Sequence, residues 1–209
     1  MEKSLQTRLL PPSPDGLRLA DKLLQAGSLV AFPTDTVYGV GSLAFNRAAV
    51  ESIYEAKDRP VEKAIPILIA DPGDLAKVAL NVPEMASRLA ARFWPGPLTL
   101  LVPKHPDLPL AVSATDSVGV RVPDHPVALS LLRLTGPMAV TSANISGGPN
   151  PSTAEAVMEQ LGGRVALIID GGKTPGGLPS TVVDCTGTAP KIVREGPIKM
   201  ADIQACLIG

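Results

Sequence analysis

Short apolar runs alternate along the chain with stretches that repeat apolar residues every three to four positions. Residues 29–32 and 138–141 are apolar runs of strand length, and each is followed closely by Thr, Ser, Asp or Asn. Residues 47–57 instead place Val50, Ile53 and Tyr54 on one face of a helix. This alternation of the two periods predicts an α/β protein.

Helix starts are marked by short polar side chains and by early prolines. Ser13 before Pro14 predicts the N-cap of a first helix that Gly27 closes, and Asn46 predicts the cap of the helix over residues 47–57. Further helices are predicted to start near residues 72, 83, 126, 153 and 201. Strands are predicted over residues 29–32, 65–70, 98–102, 118–122, 138–141, 165–169, 181–185 and 192–194.

The chain has 209 residues, which is enough for one large domain with a substantial core. It contains no internal repeat and no linker that would separate two domains. We therefore expect a single domain over residues 1–209.

Composition excludes several classes of function. The net charge is -1 and aromatic residues make up 3%, which argues against a general nucleic-acid binder. The cysteines Cys185 and Cys206 lack metal-ligand spacing, so reduced cytoplasmic thiols are expected. The sequence has neither a membrane-length apolar run nor the apolar region of a signal peptide. These features predict a cytoplasmic protein without a membrane role.

Residues 31–44, AFPTDTVYGVGSLA, combine a strand end with a polar cluster. Pro33 has no N–H to give a sheet, and residues 34–36 then supply three oxygen-bearing side chains. Gly39 and Gly41 follow in a second apolar run, where a glycine often allows another backbone or a ligand to come close. A tight turn whose Asp and Thr cap their own backbone is the alternative. We interpret the stretch as one wall of a binding site.

Cations and hydroxyls recur at other predicted element ends. Lys57, Arg59 and Lys63 lie at a helix end and in the loop after it, either as a solvated helix terminus or as a clamp for polyphosphate. Ser142 and Asn144 follow a strand and precede glycines, whose backbone N–H groups bind anions.

Arg121 and Arg194 are single arginines on apolar strands, where a structural salt bridge is the alternative to a ligand. With the residues above they predict a cleft rich in Thr, Ser, Lys and Arg, and poor in carboxylates. Such a cleft suits positional and electrostatic catalysis on phosphates.

Seven segments in order carry a resemblance over nearly the whole chain. They are PTDTVYG, KDRPVEKAIPILIA, WPGPLTLLV, VGVRVP, TSANISG, STVVD and VREG. Together they resemble the threonylcarbamoyl-adenylate synthase family, the YrdC-like domains. The resemblance implies a twisted open mixed sheet flanked by helices, with a cationic concave cleft. Because the chain stops soon after VREG, we expect no C-terminal extension domain.

The resemblance implies a reaction that joins L-threonine, bicarbonate or CO2 and ATP into threonylcarbamoyl-AMP and releases pyrophosphate. The product would feed a downstream tRNA threonylcarbamoyl-transferase complex that modifies adenosine 37 in tRNAs reading codons that begin with A. Direct contact with tRNA would be weak. A carbamoyl-adenylate-forming enzyme and a non-catalytic RNA-binding module are the alternatives.

The resemblance also assigns residues to the two substrates. Threonine-binding positions match Thr36, Arg121, Val140 and Ser180. ATP-binding positions match Arg59, Lys63, Ser117, Ser142, Asn144, Asn150 and Arg194. Lys57 and Arg59 form the Lys-x-Arg signature and are predicted to be catalytic by neutralising charge. No metal site in the protein is expected, and Mg²⁺ would be carried by the ATP phosphates.

The sharpest expectation concerns Arg121. Strand alternation directs Val118, Val120 and Val122 into the core and leaves Arg121 on the opposite face. The nearest acids in sequence lie beyond the strand ends and are poorly placed to pair with this guanidinium. We therefore predict that it holds the carboxylate of threonine. Asp35 is expected to cap its own turn.

Overall fold

Ten strands pair into one mixed sheet in a computed structural model that describes residues 5–208. The strands are β1 (Arg8–Leu10), β2 (Val30–Pro33), β3 (Tyr38–Leu43), β4 (Ile67–Leu68), β5 (Leu98–Pro103), β6 (Ser117–Arg121), β7 (Met138–Ser142), β8 (Leu167–Ile169), β9 (Thr181–Asp184) and β10 (Lys191–Arg194). Their order across the sheet is β1-β8-β2-β3-β7-β4-β6-β5-β9-β10. The predicted open mixed α/β sheet is confirmed.

Six α-helices flank the sheet in the described part of the chain. They are α1 (Pro14–Gln25), α2 (Arg47–Lys57), α3 (Glu84–Phe93), α4 (Pro126–Thr135), α5 (Ala154–Leu161) and α6 (Met200–Ile208). Both predicted caps are confirmed: Ser13 Oγ accepts from the Gly16 N–H at 3.1 Å, and Asn46 Oδ1 accepts from the Ala49 N–H at 3.1 Å. The cap at Asn46 fixes the start of the helix whose last residue is Lys57.

Two of the predicted elements need correction. The segment starting at Pro72 is a 3-10 helix, Pro72–Lys77. The strand predicted over residues 65–70 is reduced to Ile67–Leu68. Pro66 accounts for the late start, because it cannot donate to a ladder. The run still follows the sheet, since the Ile69 N–H donates to the Arg121 carbonyl at 3.0 Å. Strand β1 was not predicted, because three residues are too short to show a period.

The central strands of the sheet are buried on both faces, and strand alternation divides the core into two clusters. Val40 and Val120 belong to the larger cluster, which α2, α3, α5 and α6 cover. Phe32, Leu68 and Val140 belong to the smaller cluster, which α1 and α4 cover. The predicted side-chain directions on β6 are confirmed, because Val118, Val120 and Val122 are all buried in the larger cluster.

The glycines of β3 are required by the close approach of β7. A Cβ added to Gly41 would lie 2.5 Å from the Ala139 carbonyl oxygen. A Cβ added to Gly39 would lie 2.7 Å from Val140 Cγ1. The predicted close approach at these glycines is therefore made by a neighbouring strand, whose Val140 side chain covers both positions.

Candidate active site

A pocket of about 190 Å³ lies on the sheet face opposite Val118 and Val120. It brings together seven of the predicted site residues from six separate parts of the chain: Thr36, Arg59, Arg121, Val140, Ser142, Ser180 and Arg194. No Asp or Glu is among the described residues that line it. The pocket therefore combines hydroxyls and guanidinium groups, as anion binding requires.

The turn between β2 and β3 builds one wall of the pocket. Thr34 Oγ1 donates to the Val37 carbonyl at 2.7 Å and accepts from the Thr36 N–H at 3.2 Å. The hydroxyls of Thr34 and Thr36 lie 3.0 Å apart, and both residues are buried. Thr34 is thus the residue that caps the turn. Asp35 does not, so its predicted capping role is wrong.

Arg121 is buried at the base of the pocket, with 6% of its surface exposed. Its Nε donates to the Gly96 carbonyl at 2.9 Å, and Nη1 donates to Thr36 Oγ1 at 3.2 Å. Nη2 forms an ion pair with Asp35 Oδ1. Burial lowers the pKa of Arg121, and Asp35 opposes that shift.

The expectation that no protein carboxylate pairs with Arg121 is wrong. It considered acids near in sequence, whereas Asp35 lies 86 residues away along the chain. Strands β3, β7 and β4 lie between β2 and β6 in the sheet, so the contact between the turn after β2 and the end of β6 depends on the strand order. Sequence spacing contains no signal for this pair.

Arg194 reaches the pocket from β10, the last strand of the sheet. Its Nε and Nη2 donate to the Ser180 carbonyl at 3.1 and 2.9 Å, and Nη2 also donates to Ser180 Oγ at 3.1 Å. The Ser180 hydroxyl lies 2.8 Å from Thr99 Oγ1 on β5. The pairing of β10 with β9 shifts register between Ile192 and Arg194, as at a β-bulge. Such a bulge re-aims the side chain beside it.

The side chain of Arg59 forms hydrogen bonds across the loop that follows α2. Its Nε donates to the Lys63 carbonyl at 3.1 Å, and its Nη2 donates to the Ala64 carbonyl at 2.9 Å. Burial lowers the pKa of Arg59. Burial also lowers the pKa of Arg194, and the charges of Arg121 and Arg59 lower it further. The charges of Arg121 and Arg59 therefore disfavour the charged form of Arg194, and an anion in the pocket would oppose that effect.

Lys57 has a different environment from the other cations. It is 1% exposed, and its Nζ donates to the backbone carbonyls of Ser142 and Asn144. It does not line the pocket. Burial lowers the pKa of Lys57 to about 7, and Arg59 adds to the shift. Lys57 thus anchors the loop after β7, beside the pocket.

Four other predicted ATP-binding residues lie outside the pocket lining. Asn144 is buried, accepts from the Ser142 hydroxyl and donates to the Ile145 and Gly148 carbonyls. Lys63 and Asn150 are exposed, and Ser117 contacts Thr115. Their roles stay predictions.

Sequence reasoning missed several residues that line the pocket, among them Tyr38, Pro66 and Thr99. Tyr38 is buried; its hydroxyl donates to the Gly172 carbonyl at 2.7 Å and accepts from the Gly171 N–H at 3.3 Å. Burial and the nearby Asp170 raise its pKa to about 12. The only sequence signal for Tyr38 was its place between the polar turn and Gly39.

Over residues 5–208, the protein lacks two further kinds of feature. No three His, Cys, Asp or Glu side chains of this part of the chain group as a metal site. Within the same residues, none of the helices has the length and apolar character that crossing a membrane demands.

The fold and the pocket define an α/β protein whose pocket is lined by arginine side chains and by hydroxyl groups. The profile of the Sua5/YciO/YrdC family, described as telomere recombination, matches residues 22–196. The chain belongs to this family.

Named relatives agree with this membership. Threonylcarbamoyl-AMP synthase of Bacillus subtilis is 46% identical over 191 residues, which are 90% of this chain and 55% of that protein. The putative threonylcarbamoyl-AMP synthase of Mycobacterium tuberculosis is 41% identical over 193 residues, covering 92% of this chain and 89% of that protein. The crystal structure of P. abyssi Sua5 complexed with L-threonine has a TM-score of 0.91 and 42% identity, over 97% of this chain and 60% of that one. The chain thus spans little more than half of the Bacillus relative.

Proposed function

We propose that this protein is an L-threonylcarbamoyladenylate synthase, a nucleotidyltransferase that consumes L-threonine, bicarbonate or CO2, and ATP. The observation that carries the proposal is the pocket, which joins Arg121 and Thr36 to Arg59 and Arg194 in one cavity. Relatives named threonylcarbamoyl-AMP synthase, and a related structure with L-threonine, support it.

The threonine half of the site is assigned to the base of the pocket. Arg121 binds the carboxylate there, because a guanidinium matches its two oxygens with parallel N–H groups. The hydroxyls of Thr36 and Ser180 and the backbone of Val140 surround the amino acid. Leu68 and Val140 supply the apolar surface that a threonine methyl group needs.

The nucleotide half is assigned to Arg59, Arg194 and Ser142, which line the pocket and are more exposed than Arg121. Arginines neutralise charge on phosphates through several N–H donors held in one plane. Lys57 contributes indirectly, since it holds the two carbonyls that flank Ala143 in the loop beginning at Ser142.

The step that this arrangement supports is a transfer of adenylate. Threonine and bicarbonate first give N-carboxy-threonine with loss of water. A carbamate oxygen then attacks the α-phosphorus of ATP, the new P–O bond forms, and the bond to the β-phosphate oxygen breaks in line with it. Pyrophosphate leaves with the electron pair of that bond. Arg59 and Arg194 stabilise the charge that develops on it.

Magnesium is assigned to the nucleotide rather than to the protein. Within residues 5–208, no carboxylate lines the pocket, and Asp35 is paired with Arg121. Mg²⁺ is commonly held by substrate phosphates with few protein ligands. It enters this site as part of Mg-ATP.

The remaining assignments follow from the same reaction. The product is expected to pass to a downstream tRNA threonylcarbamoyl-transferase complex, with at most weak direct contact between this chain and tRNA. We expect a cytoplasmic location, where the thiols of Cys185 and Cys206 stay reduced.

Pyrophosphate release tests the proposal. Purified protein with ATP, Mg²⁺ and bicarbonate should release pyrophosphate only when L-threonine is added, and mass spectrometry should find threonylcarbamoyl-AMP. Omission of bicarbonate from degassed buffer should slow the reaction. Turnover with carbamoyl phosphate in place of threonine and bicarbonate would favour a carbamoyl-adenylate-forming enzyme. RNA binding without pyrophosphate release would favour a non-catalytic module.

A further inference from the structure

Asp35 is the one ionic partner of Arg121 within the described residues 5–208. The two side chains are 12% and 7% exposed, so water screens their attraction little. The other acceptors of the guanidinium, the Gly96 carbonyl and the Thr36 hydroxyl, are neutral. Asp35 is therefore the only charged acceptor of the Arg121 guanidinium within the described residues.

A count of donors shows what remains for a ligand. An arginine side chain has five N–H groups, one on Nε and two on each terminal nitrogen. In the described structure Gly96, Thr36 and Asp35 each accept from a different nitrogen of Arg121. Two N–H groups therefore remain, one on each terminal nitrogen. A carboxylate bound in a bidentate way accepts two N–H groups.

We propose that Asp35 is a positioning residue that sets the affinity for threonine by aiming the guanidinium of Arg121 into the pocket. The inference rests on the proposed function, in which Arg121 binds the threonine carboxylate. Asp35 does not line the pocket, so it acts through Arg121. Misplacement of a binding group by about 1 Å can lower activity by about a hundredfold.

Two other roles for Asp35 make different predictions. A carboxylate that occupies the place of the substrate carboxylate would compete with threonine, and its removal would tighten threonine binding. A carboxylate that only stabilises a buried charge would alter folding and impair both substrates alike. A positioning residue instead weakens threonine binding selectively, and only while Arg121 is present.

The test is a double-mutant cycle on the full chain with Asp35→Asn, Arg121→Lys and the combined variant. Threonine is titrated at saturating ATP, ATP is titrated at saturating threonine, and pyrophosphate release is measured. Asp15→Asn is the matched control, because Asp15 forms an exposed ion pair with Arg18 on α1. Asp35→Glu is a second variant that keeps the charge but moves the carboxylate. Thermal unfolding confirms that each variant is folded.

Asp35→Asn and Asp35→Glu are expected to raise the half-saturating threonine concentration about tenfold or more, with less than about a twofold change for ATP. Arg121→Lys should raise it about tenfold to a hundredfold, and adding Asp35→Asn to that variant should change it less than about twofold. Equal losses for both substrates, additive losses in the double variant, or tighter threonine binding would overturn the inference. If pyrophosphate release by the wild type did not depend on threonine, the proposed function itself would be wrong.

Discussion

The buried amine of Lys57 donates to the backbone carbonyl of Asn144, 87 residues further along the chain. The same amine donates to the carbonyl of Ser142, which lines the pocket. A side chain at the end of α2 therefore holds both ends of the three-residue segment that starts at the last residue of β7. The position of the Ser142 hydroxyl depends on that anchor.

Lys57→Met should destabilise the protein and weaken ATP binding. Methionine fills a similar volume but leaves the Ser142 and Asn144 carbonyls without their donor. A buried acceptor left unpaired costs about 1–3 kcal/mol, so the free energy of unfolding in urea should fall by about 2 kcal/mol or more. Lys77→Met is the control, because the Lys77 side chain is 60% exposed. An unchanged free energy of unfolding would show that water or rearranged backbone satisfies both carbonyls.

The lowered pKa of the Lys57 amine predicts that the stability of the fold depends on pH. The pKa of Lys57 is lowered from 10.5 to about 7, mainly by burial. Between those values the unfolded chain binds a proton at this position and the folded chain does not, so the free energy of unfolding rises with pH. A neutral amine still has two N–H groups for its two carbonyls. Urea unfolding at pH 7, 8 and 9 should show wild type gaining stability relative to Lys57→Met. A difference that does not change with pH would mean that the amine stays charged.

Arg59→Ala should weaken ATP binding while the fold survives. Arg59 faces the pocket and also fixes the Lys63 and Ala64 carbonyls. Loss of a charged hydrogen-bonding group costs about 1.5–3 kcal/mol, which corresponds to roughly a tenfold to hundredfold rise in the ATP requirement. Calorimetric titration with ATP measures it. Arg47→Ala is the control, since Arg47 forms an exposed pair with Glu51 on the same helix. Normal ATP affinity in Arg59→Ala would place this arginine outside the nucleotide site.

Gly41→Ala should destabilise the sheet. The new Cβ would meet the Ala139 carbonyl oxygen at 2.5 Å and Val140 Cγ2 at 2.7 Å, so β3 and β7 must move apart. Overpacking of this kind costs about 1–3 kcal/mol. Gly73→Ala is the matched control, because nothing lies within 4 Å of a Cβ added there. Thermal unfolding of the two variants should differ clearly, and equal melting temperatures would contradict the close approach.

Much of the fold could be predicted because its signals are local. Ser13 and Asn46 mark helix starts through hydrogen bonds within the next three residues. The length of strand β4 was overestimated, because an apolar run such as residues 65–70 does not reveal which N–H groups pair with a neighbouring strand. Strand order was beyond prediction from single-sequence patterns, since pairs such as β1 with β8 join opposite ends of the chain.

The candidate site was predictable in its residue types but not in its pairings. Thr36, Arg121 and Arg194 do share one pocket, as their chemistry suggested. The pairing of Arg121 with Asp35 depends on sheet order. Lys57 and Arg59 look alike in the sequence, because both are cations close to the end of one helix. Burial separates the two, and burial of a lysine at a helix end has no sequence signature of its own.

The bulge in β10 has a consequence for how molecules of this protein behave at high concentration. Strand β10 is an outer strand of the sheet, and an outer strand with unpaired backbone groups is a template for another chain. Here that strand has four residues, carries Lys191 and Arg194, and is irregular between Ile192 and Arg194. Short length, positive charge and a bulge each discourage strand addition. The irregularity that directs Arg194 to the pocket therefore also protects this edge of the sheet from aggregation.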